Sequence, residues 1–346
     1  MKKLLCIILT LVTITLTGCG FGDSTIRFGA AGLGGMYYSF STAFTELATK
    51  ENDKLKFDVK TTAGSAANLR LLSKNYIDVG ISQMDLIDDA YYGTPEFNGK
   101  KYNGYSAIAG LYKEACQIVV LDKSSIKTLD DLQDKTVSIG ASESGTELNA
   151  TQILKASGLW DNNLVKTKNL DYTDAAKQLE DGEIDAFFCT SGVQTTVVEE
   201  LAKHASIRFI DIDSKCAKKL KASYKFYDSF TIPANTYTGQ TKDVSTLCVK
   251  SVLLARDDMS EDTVKELTAL LFKHAKDFLL DSARWTVFFL LPSGCTSPPK
   301  SLQSGDMDWY CLLVFLPALA APCPQCQGLP GCISGCGLTA DRGWGR

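Results

Sequence analysis

From Thr25 onward the chain switches repeatedly between the two hydrophobic periods a backbone can present to a core, and that alternation narrows the fold most. "TIRFGA" reads as a short strand and "GLGG" as a turn, after which "MYYSFSTAFTELATK" spaces Phe40, Phe44 and Leu47 along one helical face. "KLKFDVKTT" returns to period two through Leu55, Phe57 and Val59, "SAANLRLLSK" is helical, and "IDVGISQ" is a strand. After Tyr105, "SAIAGLY" and "CQIVVLD" are expected as two strands, "TLDDLQ" as a short helix and "TVSIG" as a strand. "VKTKNL", "IDAFFCT" and "IRFIDI" then read as strands separated by the helices "TDAAKQLED" and "VVEELAKHA". Strands alternating with helices imply parallel βαβ units, and so an α/β fold.

The alternation also repeats itself. Leu72 is followed five residues on by Ile77-Asp78, and Leu179 five residues on by Ile184-Asp185. Each leucine stands at the same distance behind a turn, Gly64 in one case and Asp171 in the other. This pattern supports two similar α/β lobes with a ligand in the crevice at the carboxyl ends of their strands.

With 346 residues, 45% of them hydrophobic and 22% charged, the chain is long enough for two lobes. The net charge of −4 and the lack of a basic run argue against a nucleic-acid partner. "MKKLLCIILTLVTITLTGCG" has two lysines, an apolar run from Leu4 to Leu16 too short to span a bilayer comfortably, and small residues before a cysteine. Leu16-Thr17-Gly18-Cys19 resembles the bacterial lipobox, so residues 1–18 are expected to be a signal and Cys19 the lipidated first residue of the mature protein. No segment between there and Arg284 is long and apolar enough to cross a membrane.

The twelve cysteines do not form a disulfide framework. Cys6 and Cys19 belong to the signal region, Cys116, Cys189, Cys216 and Cys248 are scattered singly, and the other six all follow Trp285. Seven of the nine prolines also follow Trp285. The run "PCPQCQGLPGCISGC" fits no common zinc spacing, and residues 285–346 read as a frameshifted or fused end.

Catalytic signatures are missing from the body. Its two histidines, His204 and His274, lie singly on amphipathic helices, and no C-x-x-C or H-E-x-x-H spacing precedes Trp285. Gly140-Ala141-Ser142-Glu143 begins like a nucleophile elbow but ends in Ser144, where glycine is required. Gly32 and Gly34 begin a dinucleotide fingerprint that Tyr37 breaks, and a Walker lysine is absent. No enzyme activity, cofactor or metal is therefore expected.

What remains is a set of polar, glycine-flanked turns at strand ends: Gly34 to Tyr38, Ala63-Gly64-Ser65 with Asn68, Ser82-Gln83, and Ser142 to Thr146. Such turns expose N–H groups at helix N-termini, where the dipole favours an anion. A charge-assisted hydrogen bond contributes roughly 1.5–3 kcal/mol, so three or four could hold a carboxylate at micromolar affinity, about −8 kcal/mol. For any single turn, plain capping competes: Ser144 or Thr146 can satisfy the first amides of "ELNATQIL". Four such turns at strand ends favour binding.

The segments "GLGGMYYSFSTAFTEL", "AGSAANLRLLSKNYIDVGISQMDLIDDAYYG", "SIGASESGTELNATQIL", "AKQLEDGEIDAFF" and "TIPANTYTGQTKDVSTLCVKSVLLARDDM" resemble the TAXI-type solute receptors of TRAP transporters. The resemblance implies a two-lobed, type II periplasmic-binding-protein fold and a small carboxylate ligand such as glutamate, glutamine or 2-oxoglutarate. It implies a lipid-anchored receptor on the outer face of a bacterial cell membrane, serving TRAP permease subunits. Its lobes would comprise residues 19–114, 115–222 and a return over 223–284. The ligand contacts it implies are Gly35, Tyr37, Ser65, Asn68, Gln83, Ser144, Gly145, Thr146 and Phe188. Met36 departs from the family pattern, which has a small polar residue there, and Gln194 stands where proline is common. A lipoprotein that signals ligand occupancy, or an enzyme on the same lobed fold, are the rival readings.

Overall fold

The computed structural model describes residues 25–161 and 163–275. The signal, the lipidation residue Cys19 and the proline- and cysteine-rich end from residue 285 lie outside them. The first lobe opens with β1 (Ile26–Gly29), α1 (Met36–Glu51), β2 (Phe57–Lys60), α2 (Ser65–Ser73), β3 (Val79–Gln83) and α3 (Met84–Tyr92). A long strand, β4 (Tyr105–Leu121), leads into β5 (Thr136–Ser138), α4 (Gly145–Ser157), β6 (Lys166–Lys168), α5 (Tyr172–Glu180), β7 (Ala186–Ser191), α6 (Thr196–His204) and β8 (Ile207–Phe209). The chain continues through α7 (Ser214–Ser223), β9 (Asp228–Ile232), β10 (Val244–Arg256) and α8 (Glu261–Lys273).

The strands form one sheet in the order β2-β1-β3-β10-β4-β7-β5-β6, with β8 beside β4 and β9 beside β10. In the first lobe β1 lies parallel between β2 and β3, and in the second β5 lies parallel between β6 and β7. The antiparallel strands β4 and β10 tie the two parallel units together. This is the two-lobed α/β arrangement the alternation predicts.

The sequence repeat has a structural counterpart. Leu72, Ile77, Leu179 and Ile184 are all buried. Each following aspartate fastens the start of its lobe's first strand. The Asp78 carboxylate accepts from the Arg27 backbone N–H at 2.8 Å, and the Asp185 carboxylate accepts from that of Thr136 at 2.8 Å. The backbone N–H of each aspartate donates back to the carbonyl of the same residue, again at 2.8 Å. A short acceptor at that point fixes the register of two strands at once, which accounts for the recurrence of Ile-Asp.

Two expectations need correction. The strands "SAIAGLY" and "CQIVVLD" are one strand of 17 residues, running unbroken through Lys113 and Glu114. Its ladder with β10 is continuous there, pairing Lys113 with Lys250, Glu114 with Val249 and Ala115 with Cys248. Charged residues in mid-strand resemble a loop locally, but both backbones remain hydrogen-bonded. Pairing with β7 begins at Ala115. The passage back to the first lobe also comes later than residue 223. Tyr227, Leu247 and Val249 pack in one second-lobe core, and Ile232, Tyr237 and Val244 in another. Only from about Leu253 does β10 join the core of Phe28, Phe40 and Phe44. There Phe40 stacks on Phe44 at 5.7 Å, while Leu47, expected on the same face, is half-buried and Ala48 fills the position.

Candidate functional site

In each parallel unit a strand ends, the chain turns, and a helix begins. The residues that cap α1, α2, α3, α4 and α5 are Gly35, Gly64, Gln83, Ser144 and Asp171. All five line one cavity between the lobes. Local chemistry shapes these turns. Gly64 sits at φ 117° and ψ −142°, a region open in practice to glycine alone. At Gly140, φ is 96° and an added Cβ would fall 2.8 Å from Thr146 Cβ.

The lobes are closed on each other. At one edge the Ala67 N–H donates to the Glu143 carbonyl at 3.1 Å, and Arg70 grips the Glu143 carboxylate through two hydrogen bonds of 3.0 and 2.7 Å. At the other, the Val197 N–H donates to the Gly34 carbonyl at 3.3 Å. Deeper, the Asn149 amide donates to Asp85 at 3.3 Å and to the Tyr227 hydroxyl at 2.8 Å. The space left to the centre of a water molecule is about 60 Å³, which suits a few waters or a small solute.

Of the nine expected contacts, Gly35, Tyr37, Ser65, Gln83, Ser144, Gly145 and Thr146 line this cavity. Asn68 does not. Its amide donates to the carbonyls of Gly29, Ala30 and Ile81 at 3.2, 2.7 and 2.8 Å, and it accepts from Thr62 at 2.8 Å. It is a tie between β1 and β3. Phe188 does not reach the cavity either; alternation along β7 turns it into the core with Ile118 and Ile153.

The turn at Ser142 to Thr146 answers the competition between capping and binding in detail. The Ser144 hydroxyl accepts from the Glu147 N–H at 3.0 Å, an N-cap bond. The Tyr172 hydroxyl donates to the Thr190 carbonyl at 2.9 Å, the Thr190 N–H donates to Thr146 Oγ1 at 3.2 Å, and the Thr146 and Tyr172 hydroxyls lie 2.6 Å apart. This ring engages the Thr146 hydroxyl in both directions. By contrast, α1 and α2 have no N-cap side-chain bond, although the Ala67 N–H of α2 is taken by the Glu143 carbonyl, and at α3 the Asp85 carboxylate accepts from its own N–H and that of Leu86.

The largest omission from the sequence reading is Glu114. It is buried in β4, lines the cavity, and accepts from the Gln83 amide at 2.9 Å through one oxygen. The other oxygen receives no well-formed hydrogen bond. Burial pushes this carboxyl up to about 8, against the pull of the Gln83 hydrogen bond and of the nearby Tyr37 and Ser251 hydroxyls, with Asp85 adding to the rise. Dividing β4 into two strands left Lys113-Glu114 in a supposed connection, which hid the signal. A carboxylate in the middle of a mostly apolar run is that signal. Tyr172 is the first residue of α5, one position ahead of the helix "TDAAKQLED" expected from the sequence.

Around Glu114 the contacts are tight. The Tyr37 hydroxyl lies 3.1 Å from Ser65 Oγ, which also accepts from the Gln83 N–H at 3.2 Å. A Cβ on Gly145 would fall 2.2 Å from Gln83 Oε1, so the start of α4 approaches Gln83 as only glycine allows. Met36 reaches across to Gly192, where a Cβ would meet its Cε at 3.2 Å. Gln194 adopts φ 58°, which proline cannot adopt. Glu114 and Asp171 are the ionisable acids of the lining, and no lysine, arginine or histidine lines it. Among the described residues no group of three His, Cys, Asp or Glu side chains is placed to hold a metal ion, and no helix is long and apolar enough to cross a membrane.

The profile of the NMT1-like family matches residues 28–285, three quarters of the chain. Among solved structures, a protein from Bordetella bronchiseptica RB50 is similar with a TM-score of 0.50 and 17% identity, over 75% of this chain and 73% of that one. The alkanesulfonate-binding protein SsuA from Xanthomonas axonopodis pv. citri, bound to MOPS, gives 0.46 at 15% identity over 75% and 74%. An ancestral arginine-binding protein bound to arginine gives 0.46 at 16% identity over 74% and 95%. The likeness is one of fold, a two-lobed α/β architecture of the type II periplasmic-binding-protein kind.

Proposed function

The chain belongs to the NMT1-like family, and we propose that it is an extracytoplasmic solute-binding receptor of the TAXI type. It captures a small carboxylate of the glutamate, glutamine or 2-oxoglutarate kind and passes it to a TRAP-type membrane permease. Lipid on Cys19 holds it at the outer face of the cell membrane. It binds without turnover: the cavity offers amides, hydroxyls and one buried carboxyl, not a nucleophile paired with a base.

The observation that carries this reading is the meeting of five helix starts from two lobes around one small cleft. Helix N-termini supply partial positive charge and N–H donors, worth most where water is excluded. Neither lobe alone encloses the space, so a solute held there stabilises the closed state, and closure creates a composite face that a permease can read.

Titration calorimetry with a panel of small carboxylates tests the binding step. Micromolar affinity for at least one is expected, and no binding across the panel would remove the reading. Uptake by proteoliposomes carrying TRAP permease subunits, with and without this protein, tests delivery. Mass spectrometry of the N-terminal peptide tests the lipid on Cys19.

A further inference from the structure

We propose that Glu114 is the cleft's receptor for a cationic amino group, so that the ligand is an amino carboxylate, an α-amino acid or near relative, and not a dicarboxylate or 2-oxo acid. This rests on reading the cleft as a solute site and goes further, because it assigns the ligand's second charge.

Glu114 is 1% exposed and faces the cavity with one oxygen free of any well-formed hydrogen bond. A buried carboxyl oxygen left in that state is costly unless the bound state supplies a donor. Its other oxygen is already held by Gln83, which is itself fixed by Ser65 through the backbone. The carboxyl group is thus oriented but half-satisfied. The lining holds two acids and no basic side chain, so a second negative charge on the ligand would find no cation to offset it. A zwitterion matches both features. Its carboxylate meets the starts of α1 and α2, which no N-cap side chain bonds, and its ammonium meets the open oxygen of Glu114.

The groups acting on Glu114 come from every element around it: Tyr37 of α1, Gln83 at the end of β3, Asp85 of α3, and Ser251 of β10. Tyr112, on β4 itself, and Tyr172 of α5 also feel its charge. None of these carries a positive charge. In the empty cleft near neutral pH, Glu114 keeps its proton. An incoming ammonium stabilises the carboxylate, so the proton leaves to solvent as the ion pair forms.

The test is calorimetry at pH 7 in two buffers of different ionisation enthalpy, on the mature protein. The probes are the proteinogenic amino acids, each compared with the 2-oxo acid of the same side chain, plus glutarate. The expected result is an amino acid that binds at least about tenfold tighter than its 2-oxo partner and releases close to one proton. Glu114→Gln should abolish the proton release and most of that discrimination. A 2-oxo acid or glutarate that binds as tightly as the best amino acid, with no proton released, would overturn the proposal while leaving the receptor reading intact. No binding by any probe overturns both. Glu114 acting instead as a hydrogen-bond donor to a carboxylate predicts that Glu114→Gln keeps its affinity and its preference, and that result also refutes the proposal. If the variant does not fold, discrimination and proton release in the unaltered protein still decide.

Discussion

Thr146 shows how a side chain can line a cleft and still be occupied with the protein itself. Its hydroxyl closes a ring with Tyr172 and Thr190. Thr146→Val keeps the shape and leaves the buried Thr190 N–H without an acceptor, so the ligand-free protein should lose roughly 1–3 kcal/mol, read in a denaturant melt. Undiminished apo stability with weakened binding would instead give the hydroxyl to the ligand. Glu114 and Asp85 set a second expectation at this scale. Burial pushes both up, Glu114 to about 8 and Asp85 to about 6. The folded state holds these protons more tightly than the unfolded one. Their contribution is therefore complete below the ordinary carboxylate range and declines as pH rises through 6 to 8. The melting temperature of the apo protein should fall between pH 6 and 9, and Glu114→Gln should flatten the slope. A melting temperature that rises over that window would contradict the buried, protonated Glu114. At the acid end Asp78 acts in the opposite sense. Although burial disfavours its charge, its bonds to Arg27 win and hold it below the usual range, so its contribution is lost as the protein is acidified.

At the scale of elements, the cleft depends on how closely the start of α4 can approach β3. Gly145 is the point of approach, with Gln83 against it. In Gly145→Ala the new methyl displaces the Gln83 amide, and that amide cannot move freely because it holds Glu114. The expected outcome is a large loss of ligand affinity, tenfold or more, with helical content unchanged by circular dichroism. An alanine variant that binds normally would mean the lobes pack differently in solution. The starts of α1 and α2, which no N-cap side chain bonds, contrast with the capped starts of α4 and α5.

For the whole molecule, the question is what holds the lobes shut. The Arg70–Glu143 pair spans the cleft edge with side chains 29% and 48% exposed, and exposed pairs of this kind contribute about 0–1 kcal/mol. Such a latch biases closure without fixing it, which leaves room for a ligand to shift the balance. Arg70→Ala should therefore weaken binding less than about fivefold, while small-angle scattering shows a larger average size without ligand. A collapse of affinity in that variant would make the ion pair, and not the solute, the main force for closure.

The sequence by itself determined the βαβ alternation, the paired Leu…Ile-Asp units and the polar turns that open the helices. All three are local, written in residues a few positions apart, where period and capping chemistry act directly. Seven of the nine contacts that the family resemblance implied lie in those turns and line the cavity. Only the tertiary structure decided the rest. Asn68 and Phe188 face inward because carbonyls of β1 and β3, and the packing of α4 on β7, claim them. The unity of β4 depends on β10, more than a hundred residues later, whose ladder carries Lys113 and Glu114 through mid-strand. Glu114 becomes a buried, half-satisfied acid only when Gln83, Tyr37 and Ser251 close around it. Desolvation belongs to no residue alone: it comes from distant parts of the chain excluding water together, and nothing in the neighbouring sequence records it.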